Sequence, residues 1–267
     1  MQRYYYAASI SHFLTATSNE IVGALLTNSA GATTEHTQRD AWLEQITILK
    51  GVLHGREGRI YFEYSIPRMG TRIDTVLLLG SVLFVLEFKI GESQFTSEAF
   101  NQVYDYALDL KNFHSTSRDR LIVPILIATR TKPQIRTIGS TVHNDRVLVP
   151  LRSNTTELSA TISDVLSFAA TSETTTESDE WISTWHLGRY SPTPTIIEAA
   201  VALYSHHSVA EISRSDAAAV NLTITSAGIG DIIDAARTNG FKAICFVTGV
   251  PGAGKTLVGL NIATQRR

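Results

Sequence analysis

Residues 72–89 read RIDTVLLLGSVLFVLEFK and contain two apolar runs separated by a Gly-Ser pair. Each run has the length and composition of a buried strand, and a glycine-containing pair between such runs predicts a tight hairpin turn. Three charged residues interrupt these runs: Asp74 in the first, and Glu87 and Lys89 in the second. Because an unpaired charge is costly to remove from water, their presence in buried strands needs a specific explanation.

Residues two apart in a strand point to the same face, so Glu87 and Lys89 are expected to project together, away from Leu86 and Phe88. Two carboxylates and an ammonium at one place are typical of a metal-dependent phosphodiesterase. Asp74 and Glu87, with the backbone carbonyl of Phe88, would bind Mg²⁺ or Mn²⁺. Lys89 would steady the attacking water and the charge developing on the phosphate. For these residues alone, a same-face ion pair on a half-exposed strand remains the alternative.

Apolar periodicity predicts the elements around this hairpin. Helices are expected at 15–26, 38–53 and 97–113, and strands at 59–66, 72–79, 82–89 and 121–129, with a short addition at 147–149. In the second helix Trp42, Ile46, Leu49 and Leu53 would share one face. Pro124 favours an edge position for the last long strand, since proline has no amide hydrogen to donate. The predicted class is α/β, with a mixed sheet flanked by helices.

The composition changes near residue 153. The segment 154–184 contains six acids and no Lys or Arg, with helical apolar spacing up to residue 170 and a solvated run, SETTTESDE, at 172–180. We therefore predict a first domain at 1–152, an acidic Ser/Thr-rich helix and linker at 153–184, and a second domain at 185–267. In the second domain, a helix is expected at 229–238 and a strand at 242–247.

The stretch GVPGAGKT at 249–256 matches the phosphate-loop pattern G-x-x-x-x-G-K-[ST], between a predicted strand and a helical LVGLNIAT. Gly249, Gly252 and Gly254 would let backbone amides surround the phosphates of ATP. Lys255 would reach the outer phosphates, and Thr256 would coordinate Mg²⁺.

Only 11 residues follow Thr256, too few for the second acidic motif and the further strands of a working NTPase. We expect the chain to be the front part of a longer protein, with ATP hydrolysis dependent on the remainder. A vestigial loop is the alternative.

The pattern Asp74-x12-Glu87-x-Lys89 resembles the PD-(D/E)XK signature of restriction-endonuclease-like nucleases, without the proline before the first acid. Downstream, Gln102 and Tyr106 resemble the Q-x-x-x-Y helix motif of the RecB-type branch. Residues four apart share a helical face, so both side chains would lean toward the metal site and handle a DNA phosphate.

The resemblance implies one more acid, on a helix before the first of these strands. Glu44 is at about the right distance and Glu20 is its rival, and the helical wheel does not separate them. Glu63 could project into the same site or lie on the surface. Arg72 could pair with one of the acids or contact DNA.

As a whole, the chain resembles a bacterial family in which a nuclease-like domain precedes a superfamily 1 helicase-type ATPase. The resemblance is carried by EYSIPRMGTRID (63–74), VLEFKIGE (85–92), QVYDYALDLKNFH (102–114), YSPTPTIIEAA (190–200) and GVPGAGKTLVGLNIAT (249–264). It implies a DNA-processing protein, coupled to an ATP-driven motor and acting against phage or other foreign DNA. Two alternatives stay open: a catalytically silent nucleic-acid- or protein-binding module that regulates the ATPase, and a nucleotide-sensing switch.

Composition limits the remaining choices. A hydrophobic content of 43%, a charged content of 18% and a net charge of −2 predict a globular protein whose basic surface is local. The single cysteine, Cys245, excludes an internal disulfide, is expected to pack inside the predicted strand at 242–247, and fits a cytoplasmic location. No apolar run is long enough to span a membrane. The expected partners are DNA and ATP, and a homo-oligomer is one alternative for the assembly state.

Overall fold

A computed structural model describes residues 3–29, 36–67, 71–133, 137–141, 145–172, 178–190, 216–249 and 254–265. The chain divides into two compact units. The first comprises Met1–Lys111 and Thr116–Gly188, and the second comprises Asn112–Ser115 and Arg189–Arg267.

A six-stranded sheet forms the centre of the first unit. Its strands are β1 (Tyr6–Ser9), β2 (Arg59–Ile66), β3 (Thr71–Leu79), β4 (Val82–Lys89), β5 (Leu121–Ala128) and β6 (Leu151–Ser153). Their spatial order follows the chain, with antiparallel pairing from β1 to β4 and parallel pairing from β4 to β6. The predicted mixed α/β sheet is therefore confirmed, and the main β2, β3, β4 and β5 strands fall within one residue of their predicted bounds.

Helices flank this sheet. They are α1 (Ile10–Thr15), α2 (Ser18–Asn28), α3 (His36–Val52), α4 (Ser97–Phe113), α5 (Leu158–Ser172) and α6 (Ser178–Thr184). The predicted face of α3 is confirmed, since Trp42, Ile46, Leu49 and the adjoining Leu53 are at most 1% exposed. The helix expected at 15–26 is α2, which begins at Ser18 because Thr17 caps it by accepting a hydrogen bond from the Glu20 amide, whereas α1 was not predicted.

The sheet has two differently used faces. Every second residue of β4 points into the main apolar cluster: Val82, Phe84, Leu86 and Phe88. The cluster also contains residues of α1, α2, α3 and α5. Among the described residues, no member of that cluster comes from α4. The remaining residues of β4 point to the opposite face, where α4 lies, and this face carries the candidate site.

The edge position predicted for β5 is wrong, since β5 lies between β4 and β6. Ile122 directs its backbone toward the β6 side, where it bonds Arg146 and Leu148. Pro124, two residues on, faces the same way. Opposite it are residues 149–150, which belong to no strand. The missing amide hydrogen therefore falls at a gap in the pairing. The short strand expected at 147–149 is only a pair of bridges there, and β6 follows it.

Two helices, α7 (Asp216–Asn239) and α8 (Lys255–Gln265), are described in the second unit. Leu222, Leu257 and Val258 form a small apolar cluster. The helix expected at 229–238 is part of the longer α7. The expected strand at 242–247 is wrong, because residues 241–249 belong to no strand and are exposed. Cys245 is consequently exposed rather than packed in a strand. No helix in the described ranges is both long and apolar enough to cross a membrane.

Candidate active site

The β3–β4 hairpin places Asp74 opposite Glu87. A two-residue turn at Gly80 and Ser81 joins Leu79 to Val82, and the ladder runs to the pair Thr75 and Leu86. Asp74 and Glu87 occupy the next opposed positions. Instead of continuing the ladder, Asp74 turns its carboxylate to the other strand, where Oδ2 accepts a 2.7 Å hydrogen bond from the amide of Phe88. The two acids are thus close together because they lie at opposed positions on the two strands of one hairpin.

A chain of hydrogen bonds runs from Glu87 into α4. Lys89 Nζ donates to Glu87 Oε1 at 2.9 Å and to Gln102 Oε1 at 3.1 Å. Gln102 Nε2 in turn donates to the hydroxyl of Tyr106 at 2.8 Å. The structure therefore brings Glu87, Lys89, Gln102 and Tyr106, whose side chain is buried, into one continuous network.

Burial and like charge raise the pKa of both acids. Burial, followed by the charge of Glu87, holds the pKa of Asp74 well above its usual range, despite the Phe88 hydrogen bond. Burial also raises the pKa of Glu87, against the opposing effect of Lys89. For Lys89, burial lowers the pKa, but its hydrogen bond and attraction to Glu87 outweigh that and raise it. Lys89 is therefore a protonated ammonium beside two acids. Ionisation of both acids is unfavourable because they are buried and would repel each other.

The site fits a divalent cation on one specific observation. Glu87 Oε2 is buried and has no hydrogen-bond partner in the described part of the chain. A buried carboxylate oxygen left without a donor is costly unless a cation binds it. Within the same described ranges, no group of three or more His, Cys, Asp or Glu side chains is arranged to hold a metal. The predicted ligand set instead combines the two carboxylates with the Phe88 carbonyl.

Glu63 is the residue that sequence reasoning left unassigned and the structure places beside the site. It lies in the middle of β2 with φ +51°, and its position opposite Asp74 is missing from an otherwise regular ladder. The residue is 7% exposed, and its carboxylate accepts from Trp42 Nε1 and from Arg72 Nε, both at 2.8 Å. Its charge contributes to raising the pKa of Asp74. An acid inside the apolar run YFEYS was the signal that pointed to it.

Arg72 is oriented by two contacts. Besides its ion pair with Glu63, the guanidinium lies 5.0 Å from the centroid of the Tyr5 ring. Its side chain is 39% exposed. Of the two roles considered for Arg72, pairing with an acid is the one the structure displays.

The structure does not bring either helix acid into this network. Glu44 is exposed on α3, since two residues along a helix turn the side chain about 200° away from Trp42. Glu20 closes the capping box of α2, where Oε2 accepts from the Thr17 amide at 2.6 Å.

The predicted phosphate loop is described at its two ends. Lys255 begins α8 and donates from Nζ to the Gly249 carbonyl at 2.7 Å. Gly254 has φ +83°, a conformation that glycine adopts without strain. Thr256 is exposed in the first turn of the helix. Gly252 lies outside the described residues.

Comparison with known proteins adds no family. No protein-family model matches the chain, and no curated protein or solved structure matches it significantly.

Proposed function

We propose that the first unit is a metal-dependent DNA nuclease of the restriction-endonuclease-like type. The observation that carries the proposal is the network joining Glu87, Lys89, Gln102 and Tyr106, with Asp74 opposite and one Glu87 oxygen unpartnered. The run α3–β2–β3–β4–α4–β5 supports it, because helix, three strands, helix and strand is the order expected for this class.

Each residue has a distinct task in this proposal. Asp74 and Glu87, with the Phe88 carbonyl, would hold the cation, which supplies Lewis acidity at the phosphodiester when bound. Lys89, kept protonated by Glu87, presents a positive charge to the phosphate as its negative charge grows. Gln102 fixes the direction of the lysine through its carbonyl oxygen, and Tyr106 keeps that amide from reversing by accepting from its NH₂ group.

We further propose that the second unit binds ATP and couples a helicase-type motor to the nuclease. This part rests on the pattern at 249–256, on the start of α8 at Lys255 and on the positive φ of Gly254. A helix N-terminus after a glycine-rich loop favours the binding of a phosphate group, because backbone N–H groups and the helix dipole attract negative charge there.

Cleavage assays test the nuclease directly. Labelled linear duplex and single-stranded DNA are incubated with Mg²⁺, Mn²⁺ or EDTA. We expect metal-dependent cleavage that falls by about a hundredfold to a thousandfold in Asp74→Asn and Lys89→Ala, the order seen when a charge-stabilising group is lost. Asp40→Asn, at an exposed acid on α3, is the matched control and should cut normally. No cleavage by the wild type, or equal cleavage by Asp74→Asn, would rule the nuclease out.

A further inference from the structure

A basic pocket opens at the edge of the sheet where β4 and β5 end. Its volume is about 530 Å³, and its charged lining consists of Arg130, Lys132 and Arg152. The other described lining residues are polar apart from Phe95, and no carboxylate is among them. Within the described residues these three cations form no ion pair. In a chain with 25 acids and 23 bases, this is a local excess of positive charge.

The pocket and the candidate active site lie on one face of the sheet. Glu87 on β4 pairs in register with Leu126 on β5, which pairs in register with Arg152 on β6. Side chains in register on parallel strands point the same way. Arg152 is therefore on the face that carries Glu87, two strands away, or about 10 Å at the usual spacing between strands.

Helix α4 contacts both places. Gln102 accepts from Lys89, and two residues earlier Phe100 lies under the guanidinium of Arg152, whose Cζ is 4.8 Å from the ring centroid. Phe95 lies 5.9 Å from the same Cζ. A guanidinium held against aromatic rings keeps its planar N–H edge available for a ligand.

The two loops that build the pocket follow β4 and β5, and they are bonded to each other directly after these strands end. Thr129 Oγ1 accepts from the Gly91 amide at 2.8 Å, and the Arg130 amide donates to the Glu92 carbonyl at 2.9 Å. The backbone that carries Arg130 is thus held against the loop that follows Lys89.

We propose that this pocket binds the phosphodiester backbone of the nucleic-acid strand that is cut at Asp74, Glu87 and Lys89. Arginine matches the geometry of a phosphate by two parallel hydrogen bonds. At about 3.4 Å per nucleotide, a separation of 10 Å corresponds to roughly three nucleotides from the cleaved phosphate. The inference rests on the proposed nuclease function for the position of the cut, and its test is independent of cleavage.

The test measures binding of the full chain to a labelled 20-nucleotide single strand by fluorescence anisotropy, in EDTA, over a series of salt concentrations. Arg130→Gln/Arg152→Gln removes two charges while keeping side-chain bulk. Removing two contacts should lower the slope of log Kd against log salt by about 1.4, since each phosphate contact to a single strand contributes about 0.7. Arg39→Gln, at an exposed arginine on α3, should keep the wild-type slope. Thermal melting checks that each variant is folded.

The outcomes separate this inference from the nuclease proposal. If the double variant is folded and keeps the wild-type slope, the proposal that the pocket binds nucleic acid is wrong. It is also wrong if the wild type binds no oligonucleotide. Polyglutamate of equal charge that competes as well as DNA would overturn the nucleic-acid assignment in favour of an acidic protein segment. If the wild type binds DNA through the pocket but cuts nothing, the proposed binding role of the pocket would be supported and the proposed nuclease activity would be wrong.

Discussion

Glu63 and Arg72 form an ion pair of 2.8 Å at the border of the candidate site, and the second oxygen of Glu63 is bound by Trp42. Glu63 acts through its charge, because it contributes to raising the pKa of both Asp74 and Glu87. Arg72 compensates that charge from the solvent side. Burial raises both pKa values most, and the pair is a further influence on the pH at which the two acids ionise and bind a cation.

Opposite shifts are expected when the two members of this pair are neutralised. Glu63→Gln keeps an acceptor for Trp42 but removes the negative charge, so the pKa of Asp74 and Glu87 should fall. Metal binding requires deprotonated carboxylates, so the pH midpoint of Mn²⁺ binding should move down, with affinity at pH 6 rising on the order of a few-fold. Arg72→Gln should move the midpoint up. Titration calorimetry across pH measures both.

The same experiment decides between Glu63 and the helix acid predicted from the resemblance. Glu44→Gln changes an exposed acid on α3 and should leave the Mn²⁺ midpoint where it is. A midpoint that responds to Glu44→Gln and not to Glu63→Gln would show that Glu44, rather than Glu63, is coupled to the site.

Asp74→Asn should stabilise the metal-free protein at neutral pH. The pKa of Asp74 is higher in the folded protein than in the unfolded chain, so between the two values the folded protein binds more protons. The free energy of unfolding therefore falls as pH rises through that window. At pH 7.5 in EDTA the variant should melt about 2–4 °C above wild type, the change that 1 kcal/mol produces in a chain of this size.

At pH 4 that difference should shrink, because the wild-type carboxyl is then protonated. Mg²⁺ should raise the melting temperature of the wild type and not that of Asp74→Asn. A variant that melts at or below the wild-type temperature at pH 7.5 would contradict the raised pKa.

Gly58 is expected to be irreplaceable at the start of β2. It has φ +144°, and a Cβ there would lie 2.0 Å from the backbone oxygen of Leu78. Gly58→Ala should lower the free energy of unfolding by about 3 kcal/mol or more, through strain and displacement of β3. Gly51→Ala is the matched control in α3, where nothing lies within 4 Å of the added methyl. It should gain about 0.5–1 kcal/mol. Urea denaturation measures both, and equal effects would contradict the contact.

Lys255 should control nucleotide binding in the second unit. Lys255→Ala removes the charge that would reach the outer phosphates, and ATP affinity should drop at least about tenfold, or 1.4 kcal/mol. Lys242→Ala, at an exposed lysine ahead of the loop, should bind ATP as the wild type does. Calorimetry with Mg-ATP gives both values. Unchanged affinity in Lys255→Ala would show that 249–256 is a glycine-rich turn without a nucleotide role.

Sequence periodicity located the hairpin and α4 well because each has a strong, uniform pattern. Alternation along β4 predicted that Glu87 and Lys89 share one face of the strand. The four-residue spacing predicted that Gln102 and Tyr106 share one face of the helix α4, and that face contacts the strand. These relations depend on local geometry alone. The pairing of the two faces follows once α4 packs on the sheet.

The errors arise where structure depends on distant partners. An apolar run such as 242–247 becomes a strand only when another strand pairs with it, and none of the described residues does so. The inner strand β5 tolerates Pro124 because the residues opposite it, 149–150, belong to no strand and need no amide hydrogen from it. Glu63 could not be assigned because periodicity does not reveal a positive φ, nor that Trp42 and Arg72 would supply its two donors.

The two-residue turn at Gly80 and Ser81 leads us to expect a particular order of events during folding. Hairpins form in about 1–10 μs, so Asp74, Glu87 and their counter-ion Lys89 would come together while water still surrounds them. Their mutual repulsion is then well screened. It becomes costly only when α4 covers the face and brings Gln102 to the lysine. Docking of α4, rather than formation of the hairpin, is therefore the step of folding that acidity should accelerate.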